Sequence, residues 1–255
     1  GMAMGHVILK EFYVDRQVPR FVEYVKQYSD MPFLITLKEK NGAYVPDKFL
    51  TAADLGDDSE GAAFKTVLID GDSGRAVVPN GSLGFRYGEA GKGKWNLDLE
   101  GIDPALSLYG AGGSQNVEVH LPRFDVGQED SEGGGVHTRG VPVVPVDTAG
   151  GQRLATTVYD LMLAQYGVGR DGLPGTWPTG YDDPEPYTPA WQEEITGVPA
   201  AQAERIGREF AQNAEDSNGR SMILMGAGTN HWFHSDTIYR SFLALTTMTG
   251  CQGKN

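Results

Sequence analysis

The sequence predicts an α/β protein with a doubly wound unit in its last hundred residues, set behind a long glycine-rich middle. Three observations predict it. First, residues 200–215 follow a helical period, the turn 217-SNGR-220 comes next, and then the apolar run 221-SMILM-225. Second, Gly226 and Gly228 follow that run at once and a second helical period begins, which is the helix–strand–glycine turn–helix order of a doubly wound unit. Third, 35 of the 255 residues are glycine, roughly double the ordinary share. They gather between Gly71 and Gly151, in stretches such as 88-GEAGKGKWN-96, 110-GAGGSQN-116 and 133-GGG-135, where turns outnumber apolar runs.

Taken in order, the stretch from Ala3 to Tyr13 carries Val7, Ile8, Leu9, Phe12 and Tyr13 and reads as a helix. A second helix follows Pro19, a residue suited to a first turn because its missing N–H has no partner there, and Pro32 ends it. The runs 33-FLITL-37 and 66-TVLI-69 read as strands. Residues 139-RGVPVVPV-146 are extended, with two prolines that confine them to an edge or a covering strap. The helical period returns at Thr156, with Val158, Leu161, Met162, Gln165 and Tyr166. Loop, punctuated by Gly and Pro, fills 168–191. Residues 190–215 read as two helices broken at Gly197, with Pro199 opening the second and Ile206, Phe210 and Ala214 on its apolar face. The last helix carries Ile238, Phe242, Leu245 and Met248, and Gly250 ends it.

A net charge of −13 argues against binding to a phosphate backbone. No run of 18 apolar residues exists, so no segment spans a membrane by itself. Cys251 is the single cysteine, which excludes an intrachain disulfide, a four-thiolate zinc site and a self-contained iron–sulfur cluster.

The glycine turn is the candidate site. A ligand at the carboxyl end of a parallel strand meets free N–H groups and the partial positive charge of the next helix. Glycine lets a diphosphate approach the backbone there. His231 stands where the G-x-G-x-x-G fingerprint needs its third glycine, so a plain NAD site is not indicated. From spacing alone, a tight turn without ligand and a nucleotide cradle both remain open. His231 and His234 would need a third ligand to hold zinc or iron; none is near in sequence, and His120 and His137 sit in the glycine-rich middle. Their other reading is hydrogen bonding to backbone or to each other. Trp232 is either a packed aromatic or a stacking platform. Asp15, Arg16, Asp57 and Asp58 read as solvated charges, Asp182 and Asp183 as a turn pair that could alternatively accept from a guanine or ribose. Ser221 and Ser235 lack a His/Asp arrangement for hydrolysis, and Cys251 reads as a buried small hydrophobe.

Longer segments carry a resemblance. The stretches 3-AMGHVILKEF-12, 21-FVEYVKQYSDMPFL-34, 79-PNGSLGFRYGEAGKGKWNL-97, 156-TTVYDLMLAQYG-167, 187-YTPAWQEEITGV-198 and 219-GRSMILMGAGTNHWFHSDTIYRS-241 resemble the catalytic α subunit of membrane-bound respiratory nitrate reductase. That family belongs to the bis-molybdopterin guanine dinucleotide oxidoreductases. The resemblance covers nearly all of the chain and implies an internal piece of a much longer subunit. It implies partial doubly wound, Rossmann-like nucleotide-binding units joined by a glycine-rich, irregular insertion of short strands. Residues 1–30 would be the helical tail of one such domain, 31–150 the insertion wrapping the surface, and 151–255 the start of the next.

For the intact subunit the resemblance implies reduction of nitrate to nitrite at molybdenum held by two molybdopterin guanine dinucleotides, with one [4Fe–4S] cluster. Electrons would come from quinol through an iron–sulfur β subunit and a haem b membrane subunit, at the cytoplasmic side of the plasma membrane. Related subunits act on chlorate, perchlorate or selenate, and a free-standing nucleotide-binding or subunit-docking module is the reading of another class. For the chain itself the resemblance implies no catalytic residue, no metal ligand, no bound cofactor and no turnover. Gly226, Ala227, Gly228, Asn230, His231, Trp232 and His234 are carried over as a turn against one dinucleotide. An imidazole there would hydrogen-bond pterin or phosphate. Apolar surface is expected to be exposed where the rest of such a subunit would dock.

Overall fold

The computed structural model describes residues 1–80, 99–126 and 135–254. The turns expected in 88–96 and at residues 133 and 134, and the resembling segment from residue 81 to 97, lie outside the described residues. Two compact units emerge: one of Gly1–Val25, Tyr166–Arg170 and Trp177–Asn255, the other of Lys26–Gln165 and Asp171–Thr176.

The first unit is helical. Helix α1 (Met2–Leu9) continues through a wider turn at Lys10–Val14, and α2 (Pro19–Tyr28) belongs here up to Val25. Helices α4 (Pro189–Thr196), α5 (Ala200–Asp216), α6 (Ala227–Asn230) and α7 (Ser235–Met248) complete the unit. Val7, Ile8 and Leu9 are fully buried because α1 packs against α4, α5 and α7. Thr188 caps α4 by accepting from the Trp191 N–H at 3.1 Å, and Gly197 ends it in the left-handed region, as its sequence position suggests.

Helix α5 corrects one expectation. Its buried face is Ala203, Gly207, Ala211 and Ala214, while Ile206 is 44% exposed. Small residues win because α1 lies backbone-close: a Cβ on Gly207 would stand 3.1 Å from the Met4 Cα. A second expectation is not shown among the described residues. Residues 221–225 form no β-ladder, so the strand of the expected doubly wound unit is absent as such. A strand is defined by a neighbour, and the described residues of this unit offer none.

The second unit is built on a closed barrel of β1 (Leu34–Lys40), β2 (Ala43–Phe49), β5 (Gln115–Pro122), β6 (Val136–Thr148) and β7 (Gly151–Thr157), in that order. The short pair β3 (Leu68–Ile69) and β4 (Ala76–Val77) lies outside it. All barrel neighbours run antiparallel except β2 and β5, which meet in parallel at Tyr44 and Val119. Short strands and irregular loops were expected here; five of the strands close into a sheet, and closure leaves no open edge to protect. Leu34, Leu50, Val67, Leu108, Val146 and Ala155 form its core cluster.

The prolines of β6 fit this barrel for a local reason. The ladder to β5 covers Val136 to Val143 and the ladder to β7 begins at Val144. Pro142 and Pro145 each therefore have a registered strand on one side only, so the edge rule holds residue by residue although the strand as a whole is flanked on both sides. Segment 174–176 covers the open side near Gly140, whose N–H donates to the Pro174 carbonyl at 2.7 Å.

Helix α3 (Val158–Tyr166) follows β7 directly. Asp160, fully buried, accepts from the Ser107 hydroxyl at 2.6 Å, the Leu108 N–H at 2.8 Å and the Thr157 hydroxyl at 3.0 Å. At the other end, fully buried Arg139 donates from Nη1 to the carbonyls of Ala164 and Gln165, at 2.7 and 3.2 Å, and from Nε to Thr176 at 3.1 Å. A guanidinium matches these donor-poor carbonyls in both geometry and sign.

Arg139→Met is expected to lower stability in urea unfolding by about 2–3 kcal/mol, since it strands buried carbonyls that a charged donor now satisfies. The pH response follows from His137, 6% exposed on β6. Burial, then the nearby Arg139 and Arg123, lower its pKa from 6.5 to about 4. The unfolded chain therefore takes up a proton that the folded chain refuses, and stability falls as pH drops from 6.5 toward 4. Below that window both states are protonated and the slope vanishes. Replacing His137 by Gln should flatten this limb of the stability–pH curve.

Candidate functional site

The candidate bend is positioned from both sides by one residue. Arg20, on α2, donates from Nη1 to Thr249 O at 2.9 Å and from Nη2 to Gly250 O at 2.7 Å, so it caps the end of α7. Its Nε reaches Asn218 Oδ1 at 2.7 Å, in the turn that follows α5. Gly219 is required in that turn: its φ is +91°, and a Cβ would fall 2.1 Å from Arg20 Nη2 and 2.5 Å from Gly250 O. Tyr13 adds a hydrogen bond to Met248 O, and Leu245 and Met248 are fully buried. The chain leaves α5, passes through 221–225 without helix or ladder, turns at Gly226 into α6, and continues into anchored α7.

Within the bend, Gly226 is extended, with φ −134° and ψ −170°, and has no side chain to cap α6. The bend closes by two local bonds, Thr229 N–H to Gly226 O at 2.9 Å and His231 N–H to Ala227 O at 3.3 Å. The first amides of α6, at Ala227 and Gly228, have no intrahelical acceptor by their position. A Cβ at Gly226 or Gly228 would meet nothing within 4 Å, so the chain's own packing does not demand glycine at either position. Helix α6 has four residues, too few for the macrodipole the sequence suggested; it offers N–H donors rather than a summed charge.

Every residue carried over from the resemblance is exposed: Gly226, Ala227, Gly228, Asn230, His231, Trp232 and His234, with Trp232 at 69%. Two bland readings therefore fail. Neither imidazole has a hydrogen-bond partner among the described residues, and Trp232 is not a packed aromatic. His231 ends α6, and His234 stands just before α7, edge-on to the Phe233 ring at 4.8 Å. Phe233 itself, 93% exposed, is the residue sequence reasoning passed over. Its place inside the histidine run was the available signal.

The remaining candidates resolve as structure. Asp183 accepts from Thr179 N–H and Oγ1, both at 2.9 Å, and from Glu185 N–H at 3.0 Å, and these bonds hold its carboxyl below the usual range. The pair with Asp182 is a turn. Asp15 pairs with Lys10 at 2.7 Å and Arg16 with Glu215 at 2.6 Å, all on the surface, while Asp57 accepts from Ser59 N–H at 2.8 Å. Ser221 donates to Phe210 O, and Cys251 is buried beside Thr249. No group of three metal-ligating side chains is found among the described residues.

With this geometry in place, comparison with known proteins is decisive. Over its whole length the chain is 58% identical to the nitrate reductase alpha subunit of Mycobacterium tuberculosis, covering 20% of that protein. It is 45% identical to the alpha chain of Bacillus subtilis and 43% identical to the respiratory nitrate reductase 1 alpha chain of Escherichia coli, covering 20% and 21% of them. The chain belongs to the nitrate reductase alpha-subunit family. It spans about a fifth of the length of these relatives. A perchlorate reductase alpha subunit from Dechloromonas aromatica matches at 25% identity. No protein-family profile matches the chain. No helix among the described residues is long and apolar enough to cross a membrane.

Three substitutions separate scaffold from bend in this chain. Trp232→Ala and Phe233→Ala should change thermal stability by less than ~0.5 kcal/mol, as expected of surface residues. Gly219→Ala, forced against Arg20 in left-handed backbone, should cost about 1–3 kcal/mol.

Proposed function

We propose that this chain forms part of the cofactor-binding wall of a molybdenum oxidoreductase that reduces nitrate to nitrite, and that it contributes no catalytic group of its own. One observation carries the reading: the bend at 226–234 exposes free amides, bare glycines and imidazoles without a hydrogen-bond partner among the described residues, in a chain of the nitrate reductase alpha-subunit family. A molybdopterin guanine dinucleotide fits this surface chemically. Its diphosphate needs N–H donors and close backbone approach, and here a Cβ would fill space that nothing in the chain occupies.

When bound, such a cofactor supplies the two-electron and oxygen-atom chemistry; the chain's residues bind and orient. The amides of Ala227 and Gly228 would donate to phosphate oxygens. Asn230, His231 and His234 would hydrogen-bond the pterin or the diphosphate, an imidazole being able to donate or accept. Trp232 would cover an apolar face and exclude water. In this reading residues 221–234 become the strand, glycine turn and helix start of a doubly wound unit only within the whole subunit, and 151–255 begins that domain. The whole subunit would carry a second dinucleotide and a [4Fe–4S] cluster on other segments. It would take electrons from quinol through an iron–sulfur β subunit and a haem b membrane subunit, and lie against the cytoplasmic face of the membrane through them. Nitrate is preferred over perchlorate as substrate because identity is 58% against the one class of relative and 25% against the other.

In the full-length subunit, His231→Ala should lower molybdenum content or the rate with reduced viologen, without altering the unfolding temperature. Gly228→Val should lower molybdenum content as well, although the added side chain meets nothing in this chain. Metal content and rate unchanged in both variants would reduce the bend to scaffold. The 255-residue chain alone should show no nitrate reduction.

A further inference from the structure

Phe233 has no part in the reading above, yet at 93% it is the most exposed large apolar side chain among the described residues. Its ring stands 4.8 Å from the His234 imidazole, centroid to centroid, with the two planes at 79°. That is the edge-to-face arrangement an aromatic quadrupole favours. Residues adjacent in sequence do not face each other on a helix or along a strand, so the contact is made by a turn. Ser235 N–H donates to Trp232 O at 3.1 Å and closes four residues, with Phe233 and His234 at the two central positions. The His234 carbonyl accepts from Ile238 N–H at 3.1 Å and from the Thr237 hydroxyl at 2.8 Å. The backbone of His234 is therefore set by the turn and by the start of α7, and the freedom left to the imidazole is rotation about its side-chain bonds.

We propose that Phe233 is a positioning residue: its ring holds the His234 imidazole in one orientation and so presents a ring nitrogen to the ligand of the bend. The inference rests on the reading above that this bend receives a diphosphate-bearing cofactor. Two observations select the role. Neither ring nitrogen of His234 has a hydrogen-bond partner among the described residues, so no polar contact competes with Phe233 to set the ring. Phe233 is too exposed to serve the packing of the chain, so its contact with the imidazole is not a by-product of a core. The physical gain is entropic. An imidazole that turns freely loses side-chain freedom when it binds, and one already held edge-on loses less.

The test is made in the full-length subunit, read as the rate with reduced viologen and as molybdenum content. Phe233→Leu keeps the apolar bulk and removes the ring. It should lower one or both readings about 2- to 10-fold, the range an aromatic pair supports, with the unfolding temperature unchanged. Phe233→Tyr, which keeps the ring, should hold both at the wild-type level. In a subunit already carrying His234→Ala, Phe233→Leu should cause no further loss, because the group it orients is gone. An equal loss in the two backgrounds would overturn the proposal and assign Phe233 to direct contact with the cofactor or to packing by the rest of the subunit. No loss in Phe233→Leu, or none in His234→Ala, while His231→Ala remains impaired, would also overturn it and leave the cofactor reading standing. Wild-type molybdenum and rate in His231→Ala, His234→Ala and Gly228→Val would sink the cofactor reading and this proposal with it.

Discussion

Helices that end inside a protein leave carbonyl oxygens without donors, and this chain meets that constraint in each of its units with a guanidinium. Arg139 serves the end of α3, and Arg20 serves the end of α7. The two act by the same physics: a planar cation offers several donors in fixed directions and carries the sign that a helix terminus favours. Each guanidinium also reaches a second piece of chain, Thr176 for Arg139 and Asn218 for Arg20, so one side chain sets the end of a helix and the course of a neighbouring loop. Glycine is then forced wherever the backbone must pass close by, as at Gly219.

The candidate surface depends on the Arg20 half of this arrangement. An exposed bend of bare glycines and solvent-facing aromatics has little packing of its own to hold it. It stands in place because α7 behind it is anchored at Met248 to Gly250 and because the turn before it is tied to Arg20. Trp232 and the two imidazoles have no hydrogen-bond partner among the described residues, and Phe233 meets the His234 ring edge-on.

Helix positions were legible because their signals are local. Pro19, Thr188, Gly197 and Gly250 mark helix boundaries through properties of single residues, and α1, α2, α4, α5 and α7 follow them. The barrel was less so. The apolar–polar alternation from Val117 to Leu121 announces β5, and Asn41 and Gly42, both at positive φ, turn β1 into β2. These signals were present but outweighed by the glycine content around them. The face of α5 misled for a different reason: periodicity identifies Ile206 as apolar, but only the closeness of α1 shows that the buried stripe must be small.

The sequence by itself determined the family, the helical frame and the run of residues that forms the candidate surface, since each is carried by residue identity and short-range spacing. Tertiary structure decided what those residues do in space. It showed five strands closing into a barrel, because strand partners lie far apart in sequence and pairing is set by register. It also showed that 222–225, apolar throughout, has no backbone hydrogen-bond partner among the described residues. A hydrogen-bond ladder needs two strands, and a single stretch of sequence specifies only one of them.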